Sequence, residues 1–148
     1  MNKIKILKNL HERHVKGTTK EDIVLDERVL LCHLTNTVSK QLNTGENSVY
    51  VNTRVIKHLY DKRPAEEYDF IIDNSHKIIK YPDEIYKNKN PKRGDYCFVK
   101  KIKEKKYLSS LEISNGEILL VTVFRLNKES YLNDYELLWR WRDGEPSS

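Results

Sequence analysis

Arg54, His58 and Lys62 recur every four residues, a spacing that lines two cations and an imidazole along one face of a helix. Arg63 follows directly. Further on, Lys100 and Lys101, then Tyr107 and Ser110, then Thr122 and Arg125 place cations and hydroxyls in three successive stretches. Histidine exchanges protons near neutral pH, because its ordinary pKa is about 6.5. Lysine and arginine hold phosphate, and hydroxyls orient it. Cleavage of RNA through its own 2′-hydroxyl asks for this chemistry: a base, an acid, and cations for the charged transition state. In this reading His58 is the acid or base. Arg54, Lys62, Lys100 and Lys101 contact substrate with Tyr107 and Ser110, and Thr122 and Arg125 complete the set. The sequence has no Gly-rich phosphate loop, no GxSxG, no HExxH and no carboxylate cluster spaced for a metal, so neither metal nor cofactor is expected.

The elements that must position these groups can be read from periodicity. Tyr68, Ile71, Ile72, Ser75, Ile78 and Ile79 form the stripe of a helix with one buried face. Pro64 suits its start, Glu66 and Glu67 its positive end, and Tyr81-Pro82 its stop. A shorter helix carrying Val55 and Leu59 precedes it, entered from a β run at Ser48–Val51, with Asn52 or Thr53 as cap. Leu30, Leu34, Val38 and Leu42 recur every four residues and predict another helix over Asp26–Leu42, capped by Asp26, with His33 structural or on the surface. Ile4, Leu7 and Leu10 suggest a loosely docked helix at the start. Strands are expected from Asp95 onward, after a polar loop over Tyr86–Gly94. Tyr96, Phe98 and Ile102 would share one face, with Cys97 and Val99 opposite. Glu104-Lys105 permits a hairpin, and Asn115-Gly116 is the strongest hairpin signal in the chain. Glu117–Leu126 reads as a central strand covered on both faces. Lys128–Asp134 suits a short helix and Tyr135–Trp141 an edge strand, with one continuous helix as the rival. Trp139 and Trp141 fit core positions better than base-stacking ones.

These elements add up to an α+β domain, with helices packed on a C-terminal antiparallel sheet of three to four strands. A basic extension (1–22) precedes the domain (23–142), and a disordered tail (143–148) follows it. The chain of 148 residues carries a net charge of +5, yet eleven Lys/Arg against four Asp/Glu fall between Lys77 and Tyr107. That local excess of +7 leaves −2 for the rest, and a concentrated basic segment attracts a phosphate backbone. A solvated basic face without a partner explains the same count. Nine Tyr and two Trp argue against disorder. Cys32 and Cys97 lack metal spacing and read as buried, reduced thiols of a cytoplasmic protein. The start has no apolar core of a secretory signal, and no run is long enough to span a membrane.

The string VYVNTRVIKHLYDKRP (residues 49–64), a long helix ending in YPDEI (81–85), then strands and a final LLWRW (137–141) resemble the phage-associated BECR nucleases, the grouping of barnase, EndoU, colicin nucleases and RelE toxins. The resemblance spans Ile23 to Trp141. It implies helices followed by an antiparallel sheet of about four strands, and a metal-independent endoribonuclease, toxin-like or carried by a mobile element. RNA is then the substrate, and an antitoxin or immunity protein is the partner to look for. The family's first helix carries an H-x-x-x-x-H-like pair. Here that pair reads His58 then Arg63, which implies an Arg-assisted or an inactive version. Thr122 and Arg125 match polar site positions of the family's third strand, where Arg63, Lys101 and Arg125 would contact phosphate and Thr122 orient it. YPDEI corresponds to a structural turn. Two other readings stand beside this one: a non-catalytic protein that binds RNA or an acidic partner, and a phage accessory protein that retains the fold.

Overall fold

The computed structural model describes residues 5–89 and 95–141. The stripe read from the sequence folds as a helix, here α4 (Ala65–Lys80), and all six of its expected positions are buried. Each large apolar side chain removed from water stabilises the fold by roughly 1.5–3 kcal/mol, so this one face is a main source of cohesion. Glu66 and Glu67 lie in its first turn, where the helix dipole favours negative charge.

The shorter helix, α3 (Thr53–Lys62), buries Ile56 and Leu59 and leaves Arg54, His58 and Lys62 exposed along one strip. Asn52 holds the N-cap position as expected, but its side chain makes no capping bond. Asp26 Oδ1 instead accepts the Arg54 amide at 3.1 Å, and the Thr53 hydroxyl bonds the backbone of Glu27. Asp26 thus caps a helix 28 residues downstream rather than one of its own.

The helix expected over Asp26–Leu42 forms only in its second half, as α2 (Asn36–Leu42) capped by Thr35, whose side chain accepts from the Val38 amide. The first half is a strand, β1 (Arg28–His33). Val29-Leu30-Leu31-Cys32 is an unbroken apolar run, and such a run suits a strand as well as a helix until a partner decides. The partner is β2 (Ser48–Asn52), which pairs with β1 antiparallel. His33 bonds Ser48 at 3.2 Å across that pair, a structural role.

The sheet also departs from expectation. Among the described residues it has seven strands, not three to four: β1 and β2, then β3 (Glu84–Asn88), β4 (Tyr96–Ile102), β5 (Lys105–Ser114), β6 (Glu117–Arg125) and β7 (Tyr135–Arg140), in the order β1-β2-β6-β5-β4-β3-β7. The β3-β4-β5-β6 stretch is the antiparallel meander that was predicted, one strand longer. Glu84–Asn88 was expected to lie mostly in a polar loop. It is held as a strand because β4 and β7 bond it on both sides and Ile85 enters the core. Residues 90–94, the rest of that loop, and the proposed tail at 143–148 lie outside the described residues. The β2–β6 pairing is parallel and joins the N-terminal strands to the meander. β7 forms the edge, as expected, after a 3₁₀ turn at Glu129–Asp134. The first hairpin turns at Lys103-Glu104, one residue earlier than expected, and Asn115-Gly116 turns the second; all four residues have positive φ.

Alternation along β4 separates two apolar clusters. Tyr96 and Phe98 join the main core under the helices, whereas Cys97 and Val99 join a smaller cluster with Leu108 and Leu126 on the opposite face. Ile118, Leu120 and Val123 of β6 enter the main core, and Phe124 packs on the second cluster, so its second face is only partly covered. The N-terminal segment is not loosely docked: α1 (Lys5–Leu10) and a π-helical turn (His11–Val15) bury Leu7, Leu10 and Val15 in the main core. No helix among the described residues is long and apolar enough to cross a membrane.

Candidate functional site

Strand β2 pairs with β6 only through Ile118 and Leu119, so among the described residues the outer edge of β6 beyond them has no strand beside it. Side chains from the α3–α4 junction occupy that edge. Arg63 donates from Nε to the Val123 carbonyl (3.1 Å) and from Nη2 to Thr122 Oγ1 (3.0 Å), and Glu67 Oε2 accepts the Arg125 amide at 3.2 Å. Arg63 and Glu67 lie one helical turn apart with Nε and Oε2 at 3.7 Å. The guanidinium also stands over the Phe124 ring at 5.7 Å. A bulge at Val121, opposite Ser110 and Leu111, sets the local phase of the strand. Pro64 ends α3 at Arg63, which is why the side chain is delivered to the sheet edge instead of continuing the helical strip.

Among the residues selected from sequence, Arg63 and Thr122 are therefore in direct contact, and Arg125 is one hydrogen bond away through Glu67. The remaining residues do not converge on one face. Directly paired residues of neighbouring antiparallel strands point to the same side. Lys100, Tyr107 and Arg125 form one such row, and Tyr107 is stacked on Phe70 of α4 with ring centroids 4.5 Å apart, so this row faces the helices. Cys97, Ser110 and Thr122 form a row on the opposite side, as do Lys101 and Lys106. Tyr107 and Ser110 are buried. Lys100 donates to the Tyr81 carbonyl at the end of α4, and Lys101 pairs with Glu104 at 3.8 Å. Arg54, His58 and Lys62 stay on the outer strip of α3, with Arg54 near Asp26. Trp139 packs on the main core as expected, whereas Trp141 is exposed and is not a core residue.

The sequence reading missed a neighbouring feature. A cavity of about 180 Å³ is lined by His11, Tyr60, Arg63, Ala65, Tyr68 and Asp69. His11 Nδ1 and the Tyr68 hydroxyl lie 2.8 Å apart, and the rings of His11, Tyr60 and Tyr68 are mutually in contact with centroids 5.4–5.5 Å apart. Burial lowers the His11 pKa from its usual value, against the opposing pull of Glu12 and Asp69, so the neutral imidazole is favoured. Burial, with Tyr60 and Asp69 adding to it, raises the Tyr68 pKa and keeps its phenol protonated. His11 stands 57 residues from Tyr68, and no local spacing could connect them. Among the described residues no three or more of His, Cys, Asp and Glu are grouped to hold a metal ion.

Helices α3 and α4 followed by the β3–β6 meander make the arrangement that the sequence resemblance implied. Residues 33–133 match the family described as phage-Barnase-EndoU-ColicinE5/D-RelE like nuclease 3. No curated protein and no solved structure matches the chain. The family match takes in α2, both helices of the junction, the whole meander, Arg63 and Thr122, and about two-thirds of the sequence: the chain belongs to this family of nucleases.

Proposed function

We propose that this chain is an endoribonuclease that cleaves RNA through the 2′-hydroxyl without a metal ion, with Arg63 as the phosphate contact. The observation that carries this reading is the pinned guanidinium. Two of the five N–H groups of an arginine are spent on Val123 and Thr122 with Glu67 beside them, so the guanidinium keeps donors for an anion, and Arg63 also lines the neighbouring cavity. A cation held in place before substrate arrives stabilises developing phosphate charge without reorganising. Thr122 holds the guanidinium in plane. His58 supplies proton transfer from the exposed strip of α3, with Arg54 and Lys62 beside it as further phosphate contacts, and Arg125 lies next along β6. Lys100 and Lys101 are secondary contacts at most, since each has a partner in the fold.

Incubation of the purified protein with mixed cellular RNA in EDTA tests this reading. Cleavage is expected, with a loss of about 10²–10⁴-fold in His58→Ala, the range for a positioned acid or base. Intact RNA at high enzyme would sink it. The same guanidinium beside Glu67 suits a second reading, a protein that binds RNA without cutting it. RNA retained by the wild-type protein without turnover would select that one. Toxin-like use, with an antitoxin or immunity protein as partner, belongs to the main proposal. It predicts that expression of the wild type, but not of His58→Ala, arrests growth.

A further inference from the structure

We propose that His11 is the general base of this reaction, receiving the 2′-hydroxyl proton at Nε2 while Tyr68 orients its ring and Arg63 holds the phosphate. The inference rests on the ribonuclease reading above and adds a residue from outside the segment that matches the family, since His11 precedes residue 33.

Three observations lead to it. The cavity at the α3–α4 junction is lined by His11 and Arg63 together, the residue pairing that phosphodiester cleavage needs. Nδ1 of His11 is committed to Tyr68, so any proton exchanged with a ligand moves through Nε2. With the Tyr68 hydroxyl accepting from Nδ1–H, Nε2 presents a lone pair, which is the tautomer a base requires. The third observation concerns His58. Two residues along a helix turn it by about 200°. His58 therefore lies on nearly the opposite side of α3 from Tyr60, whose ring walls the cavity. The proton-transfer role that His58 holds in the reading above is then the acid's, and the base at the cavity is His11, which is already there.

The step balances as follows. The 2′-oxygen loses its proton to His11 Nε2 and forms a bond to phosphorus, and the P–O5′ bond breaks. The 5′-oxygen leaves with a proton from His58, which takes another from solvent, giving a 2′,3′-cyclic phosphate and a 5′-hydroxyl end. His11 then returns its proton to solvent. The charged groups that bias its titration are Glu12 and Lys16 on its own segment and Asp69 on α4, while Tyr60, Tyr68 and Arg63 line the same cavity. Asp69 favours the imidazolium once the proton has arrived.

Two measurements on the full chain test the assignment. In RNA cleavage, His11→Gln is expected to lose about 10²–10⁴-fold in kcat while binding RNA as the wild type does. Tyr68→Phe should keep partial activity but shift the acidic limb of the pH profile, a change that a purely structural role would not produce. Cleavage by His11→Gln at the wild-type rate overturns the proposal. The second measurement is an NMR titration of the His11 ring with and without uridine 3′-monophosphate. The nucleotide should raise the His11 midpoint in the wild type and leave it unmoved in Arg63→Ala. An unmoved midpoint in the wild type overturns the site whatever RNA cleavage shows. A raised midpoint in a protein that leaves RNA intact overturns the base role and the ribonuclease reading, and keeps only an anion site.

Discussion

Arg63 bonds Thr122 across the helix–sheet junction, its Nη2 3.0 Å from the threonine hydroxyl, and in doing so caps a strand edge that would otherwise stand open. An open edge offers unpaired backbone groups to other chains. Arg63→Ala leaves the Val123 carbonyl and the Glu67 carboxylate without this partner and should destabilise by about 1–3 kcal/mol. Arg63→Lys cannot make two parallel bonds and should recover only part. Urea unfolding checks both. A wild-type midpoint in Arg63→Ala would remove the edge-cap role and leave only a functional one.

Lys57 is a buried cation, about 6% exposed, and donates to Asp61 Oδ1 at 2.7 Å and to the Thr19 carbonyl. Removing its counter-charge with Asp61→Asn should cost about 3–5 kcal/mol, because an uncompensated charge is left inside. Lys57→Met, which removes the charge and keeps the volume, should cost much less. Equal losses in chemical denaturation would show that the pair contributes only through packing.

The two hairpins answer differently to substitution. Gly116 has φ of +82°, so Gly116→Ala should destabilise by about 1–2 kcal/mol, the penalty for a side chain in that region. Lys103 and Glu104 already bear such a penalty at φ of 50° and 71°. Lys103→Asn combined with Glu104→Gly should therefore raise stability, by about 0.5–1 kcal/mol. Thermal melts of the two variants should move in opposite directions, and a shift of the same sign would contradict the turn assignment.

Stability should also depend on pH through His11 and His76. Burial lowers the pKa of both, and Lys77 and Lys80 add to the effect at His76. A lowered folded-state value means that the unfolded chain binds more protons. The stabilisation is then full above the usual value of 6.5, and it is lost as pH falls from there to the depressed midpoint. Urea midpoints between about pH 7.5 and 5.5, a range above the usual carboxylate pKa values, should fall with pH. The fall should be shallower in His11→Gln and in His76→Gln. An unchanged slope in both variants would contradict the burial argument.

What the sequence determined by itself was local. The α4 stripe, the Asn115-Gly116 turn and the alternation of Tyr96, Cys97, Phe98 and Val99 each depend on neighbours a few residues away, and each folds as its pattern implies. The family could be read for the same reason, because residues 49–64 carry it as a continuous string. Tertiary structure decided the rest. Arg28–His33 is a strand because β2 lies beside it, and Glu84–Asn88 is one because β4 and β7 flank it, although neither segment's composition requires that form. The candidate site was legible only in part. Arg63 and Thr122 could be named, but their contact depends on where β2 stops pairing, and the strand alternation that separates Ser110 from Tyr107 was in the sequence without its register. His11 could not be found at all. Its meeting with Tyr68 and Arg63 is made by the docking of α1 and its π-helical turn against α3 and α4, a contact between segments about fifty residues apart whose only local trace is a few buried leucines.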